Sequence, residues 1–148
     1  GIDWMPTFSH ITGSKLSTNK IDGKNIWPLL TQKENKSPHE ELYFYYRQNE
    51  PHAVRSGDWK LYFPRPYRTL NGKPGGKDGI PVKYENNIVK SNELYNLKED
   101  PSETTNVYSE YIEKAKELEK MGENARQELG DALTSRVGIG VRKIGSID

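Results

Sequence analysis

Arg47, Asn49 and His52 fall within six residues and flank the gap between two strand-like runs, where side chains emerge at a sheet rim. Tyr67, Arg68, Asn71, Lys73 and Lys77 follow on or beside a long Gly/Pro/Lys-rich stretch. Guanidinium and ammonium groups attract an anionic ligand, while Tyr and Asn suit a sugar or aromatic ring. Residues 55–90 hold eight basic and three acidic side chains, and residues 101–131 hold four basic and eight acidic. The same segments read equally as a solvated loop beside a solvated helix.

Self-contained catalytic chemistry is not apparent. His10, His39 and His52 lack metal-ligand spacing, and the chain has no cysteine to assist them. The glycines at 72–79 do not sit between a strand and a helix as a phosphate loop requires. Ser9 beside His10 has no third member of a triad. With 22 Lys+Arg against 21 Asp+Glu, the charge balance argues against a nucleic-acid partner. No apolar run approaches the roughly 18 residues of a membrane span.

The elements that must position these groups are legible from pattern. Asp3 is placed to cap a short helix with Pro6 in its first turn and Gly13 at its stop, Trp4, Met5, Phe8 and Ile11 being its apolar residues. A linker follows, interrupted by the apolar patch Ile26, Trp27, Leu29 and Leu30. Leu42-Tyr-Phe-Tyr-Tyr-Arg47 and His52-Ala-Val-Arg55 are strand-like, and Trp59, Leu61 and Phe63 alternate with Lys60 and Tyr62 after a Ser56-Gly57-Asp58 turn. Pro64 and Pro66 should end this hairpin, and residues 67–83 read as loop. Glu93-Leu-Tyr-Asn-Leu97 is a further strand. Tyr111, Ala115, Leu118, Gly122, Ala125 and Leu129 share one face of a helix over residues 109–129, with Gly122 allowing close approach to the sheet. Trp27 and Trp59 read as core, Arg55 and Lys60 as structural strand charges. The expected architecture is α+β: a small, about four-stranded antiparallel sheet packed against one long C-terminal helix, preceded by a short helix and linker. With glycine counted, apolar residues reach about 41%, below the usual 45–50%, so the core should be modest or lean on a partner.

Four segments then resemble one family in the correct order. Asp3-Trp-Met-Pro-Thr7 running to Gly13, Asp22-Gly23 with Leu29-Leu30, His52-Ala-Val-Arg-Ser-Gly-Asp-Trp-Lys-Leu61, and Leu94-Tyr-Asn-Leu-Lys-Glu-Asp-Pro-Ser-Glu103 with Asn106 are similar to motifs of formylglycine-dependent arylsulfatases. These belong to the alkaline-phosphatase-like superfamily. The resemblance implies that residues 1–37 are the end of a catalytic domain and its linker, 38–133 the C-terminal subdomain and 134–148 an extended tail. It also implies that the opening residues continue a longer sequence. The family's nucleophile is made from a Cys or Ser in a Cys/Ser-x-Pro/Ala-x-Arg motif, which this chain lacks, and its calcium is held by catalytic-domain Asp and Asn. No cofactor is therefore expected in this segment, formylglycine and calcium being expected in the catalytic domain, and the chain alone should not hydrolyse sulfate esters. The implied partners are that catalytic domain and a sulfated small molecule or carbohydrate, in a secreted, periplasmic or lysosomal setting. Arg47, Asn49, His52, Tyr67, Arg68, Asn71, Lys73 and Lys77 are the candidate substrate contacts. Competing readings are a freestanding module binding sulfated carbohydrate, a piece of a related phosphodiesterase or phosphonate hydrolase, and a non-catalytic sulfatase homologue. The sequence upstream of Gly1 separates them.

Overall fold

The computed structural model describes residues 1–141 and divides the chain into two compact units, meeting in sequence at Glu40/Glu41. In the first unit, α1 (Trp4–Thr12) stops at Gly13, whose φ of +69° is the left-handed conformation glycine tolerates. Asp3 precedes α1 but makes no capping bond, contrary to expectation. Its backbone is already helical (φ −81°, ψ −13°), so the carboxylate is not aimed back at the first turn. It instead accepts from Lys24 N at 2.8 Å and lies 2.7 Å from His39 Nε2. Burial raises the Asp3 carboxyl pKa, but the Lys24 N–H and the His39 contact outweigh it and hold the group below its ordinary value. Buried Thr7 accepts from Ile26 N at 3.0 Å, and a one-turn helix, α2 (Trp27–Leu30), follows. Trp27 is half-buried rather than a core residue. Trp4, Met5, Phe8 and Ile11 are all exposed in this unit, with the Trp4 and Phe8 rings stacked at 5.5 Å.

The second unit is built on four antiparallel strands in the order β1 (Glu41–Tyr46), β2 (Glu50–Ser56), β3 (Trp59–Tyr62), β6 (Glu93–Asn96). Tyr43, Val54, Leu61 and Leu94 stand opposite one another across it and therefore share a face. Against that face packs α3 (Ile112–Leu129), burying Ala115, Leu118, Gly122 and Ala125. The helix begins three residues later than expected, because Glu110 N and Tyr111 N bond to Val107 O in a preceding turn. The core comprises Val54, Leu61, Phe63, Leu94, Ala115 and Leu118, with Trp59 packed against it and its ring 4.9 Å from that of Tyr111. The sheet-on-helix α+β architecture expected from the sequence is thus present.

Two strand pairs were not foreseen. β4 (Arg65–Thr69) and β5 (Glu85–Val89) form a two-stranded ribbon in which Pro66 pairs with Ile88. Neither strand of a two-stranded ribbon is central, so a proline lacking its N–H is tolerated there. The loop is confined to residues 70–84. After α3, β7 (Gly130–Asp131) pairs with β8 (Arg136–Val137), and Ile139 N and Gly140 N donate to Gln127 O and Glu128 O. The part of the expected tail at 142–148 lies outside the described residues.

Gly122 shows why the helix can approach so closely. A Cβ placed on it would lie 2.1 Å from Phe63 Cζ, and Phe63 is only 1% exposed, so the ring has little room to retreat. Gly122→Ala should therefore cost about 1–3 kcal/mol through overpacking, outweighing the roughly 1 kcal/mol that alanine normally gains in a helix. Urea denaturation checks it. A stabilised variant would mean that the helix can move away from Phe63.

Candidate functional site

A grouping of cations and aromatics that holds several of the sequence candidates lies where β1 ends. Tyr46 closes β1, and the following turn places Arg47 and Asn49 in left-handed conformations, with φ of +49° and +93°. The β1–β2 register shifts here: Phe44 faces Ala53, but Tyr45 faces Pro51, leaving His52 as the extra residue of a bulge. Bulges re-aim a side chain, and His52 turns its ring to within 5.2 Å of Tyr46 while its Nε2 lies 3.3 Å from Glu50 Oε2. Burial lowers the His52 pKa, with Arg65 and Arg47 adding to the effect against the bond from Glu50, so the ring is neutral at pH 7.

The ribbon supplies the rest. Arg68 donates from Nη2 to the Tyr46 hydroxyl at 2.8 Å, and Arg47 places its guanidinium 5.5 Å from the Tyr46 ring centre. The Arg68 bond and charge are the main cause of a Tyr46 pKa held below the usual phenol value. Arg65 lies 3.9 Å over Tyr62 and 5.8 Å from the Tyr67 ring, with Glu93 at 3.4 Å, and the Tyr67 hydroxyl accepts from Asn87 at 2.8 Å. Arg47, His52 and Arg68 therefore converge on Tyr46, while Arg65 and Tyr67 form a separate group with Tyr62, Glu93 and Asn87.

The other candidates lie elsewhere. Asn49 donates to Leu129 O at 2.8 Å and its carbonyl accepts from Ala132 N at 2.8 Å, which ties the β1–β2 turn to the end of α3. Asn71 bonds to Glu85 at 3.0 Å and Lys73 pairs with the same carboxylate. Lys77 is exposed in the loop, its backbone bridging to Ile80. Sequence reasoning missed Tyr46 and Arg65. Tyr46 was hidden in an aromatic run where every position looked alike, and Arg65 between two prolines taken as terminators.

The sheet face turned away from α3 also carries a groove of about 410 Å³, lined by Phe44, Arg55, Lys60, Leu97, Pro101 and Glu103. Its lysine is not free: Glu103 lies 2.7 Å from Lys60 and accepts from the Tyr62 hydroxyl at 2.6 Å. Asp100 accepts from Thr104 N and Thr105 N at 2.7 and 2.8 Å, and Asn106 Oδ1 from Leu94 N and Tyr108 N, both at 3.0 Å. The Asp-Pro-x-Glu…Asn signature is thus a latch across the sheet edge, and Arg55 likewise bonds to Gly57 O at 2.9 Å. Among the described residues no group of three His, Cys, Asp or Glu side chains could hold a metal ion, and no helix is long and apolar enough to cross a membrane.

Comparison with known proteins gives the grouping its context. Residues 37–139 match the family described as the C-terminal region of aryl-sulfatase. Arylsulfatase A of Bos taurus is 30% identical over 123 residues, covering 78% of this chain and 23% of that protein. An N-acetylglucosamine-6-O-sulfatase of Bacteroides thetaiotaomicron is 27% identical over 142 residues, covering 88% of this chain and 21% of that protein. Among solved structures, one from work on glycosaminoglycan metabolism by the same bacterium aligns with a TM-score of 0.59 at 21% identity, over 84% of this chain and 24% of its own. Another, bound to its substrate D-glucosamine-2-N,6-O-disulfate, aligns with a TM-score of 0.54 at 24% identity, over 84% and 23%. The chain spans less than a quarter of the length of these relatives. It belongs to the family of arylsulfatase C-terminal regions.

Proposed function

We propose that this chain is the C-terminal subdomain of a sulfuric ester hydrolase acting on a sulfated sugar, with the cluster around Tyr46 forming part of the substrate-pocket rim. In this reading residues 1–37 finish the catalytic domain, 38–133 form the subdomain and 134–148 its tail. The observation that carries it is the family match, combined with cations gathered around Tyr46 rather than dispersed. The family resemblance assigns formylglycine and calcium to the preceding catalytic domain, and the Cys/Ser-x-Pro/Ala-x-Arg motif from which formylglycine is made does not occur in this chain. When present there, they would supply the nucleophile and the Lewis acid.

The role left to this segment is closure and orientation. Binding remote from the reacting centre holds the ester in line for attack, so its loss lowers turnover although no bond is made or broken by these groups. Neutral His52 can donate or accept a hydrogen bond to a sugar hydroxyl, and Tyr67 offers a ring face. Relatives acting on sulfated glucosamines support this substrate class, and the family supports a secreted, periplasmic or lysosomal setting.

The test uses the full polypeptide and a panel of sulfated sugars. Calcium-dependent sulfate release is expected, with His52→Ala lowering kcat/KM about tenfold, roughly one lost hydrogen bond, at an unchanged thermal midpoint. Unchanged turnover on every substrate would remove His52 from the rim, and the absence of sulfate release from the wild type would sink the sulfatase assignment.

A further inference from the structure

We infer that Arg47 and Arg68 form a site for a second anionic group of the substrate, a sulfate or carboxylate other than the one cleaved; the inference rests on the sulfatase reading for its substrate class. Arg65, Arg126 and Arg136 each lie beside a carboxylate, whereas among the described residues neither Arg47 nor Arg68 has one. The carboxylate nearest in sequence, Glu50, contacts His52 instead. Two exposed, uncompensated guanidiniums thus address one phenol from different elements, the β1–β2 turn and β4.

The arrangement fits an anion better than it fits a structural brace. The Tyr46 hydroxyl engages one nitrogen of Arg68 and orients the planar group, leaving further N–H donors outward. Arg47, itself a turn residue in a left-handed conformation at φ +49°, places its guanidinium 5.5 Å from the same ring. Guanidinium forks match the oxygens of sulfate and carboxylate in pairs, which an ammonium does not. The groups facing Tyr46 are Arg47, Arg68 and His52, the last with Glu50; Arg68 also lies 5.4 Å from the Tyr84 ring. No negative charge on these elements competes directly for the two arginines.

The scissile sulfate is not the natural occupant, since its nucleophile and metal are assigned outside this chain. A second anionic group held here adds to the binding of a doubly anionic sugar, so its loss lowers kcat/KM for that sugar. The exposed position also implies that raised ionic strength weakens the contact.

The experiment compares N-acetylglucosamine 6-sulfate with glucosamine-2-N,6-O-disulfate on the full polypeptide, using calorimetric binding and sulfate-release kinetics. Wild type should bind the disulfate at least tenfold more tightly. Arg47→Gln with Arg68→Gln should abolish that preference in binding and in kcat/KM, the loss on the disulfate exceeding any loss on the monosulfate at least tenfold at an unchanged thermal midpoint. Arg68→Lys, which keeps the charge and loses the fork, should retain only part of it. Equal affinity for the two sugars in wild type, an unchanged preference in the double variant, or the same loss on both sugars overturns the inference. Arginine-dependent binding of the disulfate without any sulfate release would leave the anion site standing and defeat the sulfatase reading instead.

Discussion

Asp131→Ala should lower the free energy of unfolding by about 3 kcal/mol, near the lower end of the range for breaking a buried ion pair. Asp131 is 1% exposed, accepts from Arg126 Nε at 2.8 Å and from Leu133 N at 2.8 Å, and so joins the last turn of α3 to the short strand pair that follows. The guanidinium also lies 4.2 Å over the Phe63 ring, a core residue. Without the carboxylate, Arg126 is left largely desolvated, with Glu123 a distant 4.0 Å away. The lower end applies because Arg126 keeps some access to water. Burial raises the nearby Tyr45 pKa and Asp131 adds to it, which marks the same pocket as poorly hydrated. A double-mutant cycle decides the matter: Arg126→Met with Asp131→Ala should be less destabilised than Asp131→Ala alone. Additive losses would mean that the two groups do not act as a pair.

Leu61→Ala should cost about 2–5 kcal/mol, the usual penalty for truncating a fully enclosed leucine. Leu61 is 0% exposed on a central strand, in the row Tyr43–Val54–Leu61–Leu94 beneath α3, where few neighbours can collapse into the vacancy. Leu42→Ala is the control. Leu42 stands opposite Arg55 on the other face and is 55% exposed, so its loss should be within about 0.5 kcal/mol. Guanidinium denaturation of the two variants measures the contrast. Similar losses at both positions would mean that the helix covers the wrong face, and the whole register argument would fail. A domain stable by about 5–15 kcal/mol would lose a large share of its margin through Leu61 alone.

Both predictions concern residues whose burial was partly legible in advance. The alternation of Trp59, Leu61 and Phe63, and the three-and-four spacing from Ala115 to Ala125, place apolar side chains on single faces, and the structure joins those faces into one core. Gly57 at φ +57° fulfils the expected turn, and Gly122 fulfils the expected close approach. The ribbon of β4 and β5 was not legible, since prolines and a long gap of polar residues disguise two strands that find each other only across residues 70–84. The candidate residues were legible by type and not by arrangement: Arg47, His52 and Arg68 meet at Tyr46, whereas Tyr67, Asn49, Asn71 and Lys73 have partners elsewhere.

Periodicity, turn chemistry and the four ordered motifs were sufficient in this sequence for the α+β class, the hairpin, the long helix and the family, because each depends on neighbours within a few residues. The pairing of Arg68 with a tyrosine 22 positions away, the anchoring of Asn49 80 positions from its partner and the bulge that turns His52 were left to the tertiary structure. Side-chain charge and polarity specify that a group must find a partner, and chain connectivity between distant elements specifies which one. That second decision is made by the packing of the sheet against its helix, which no local pattern contains.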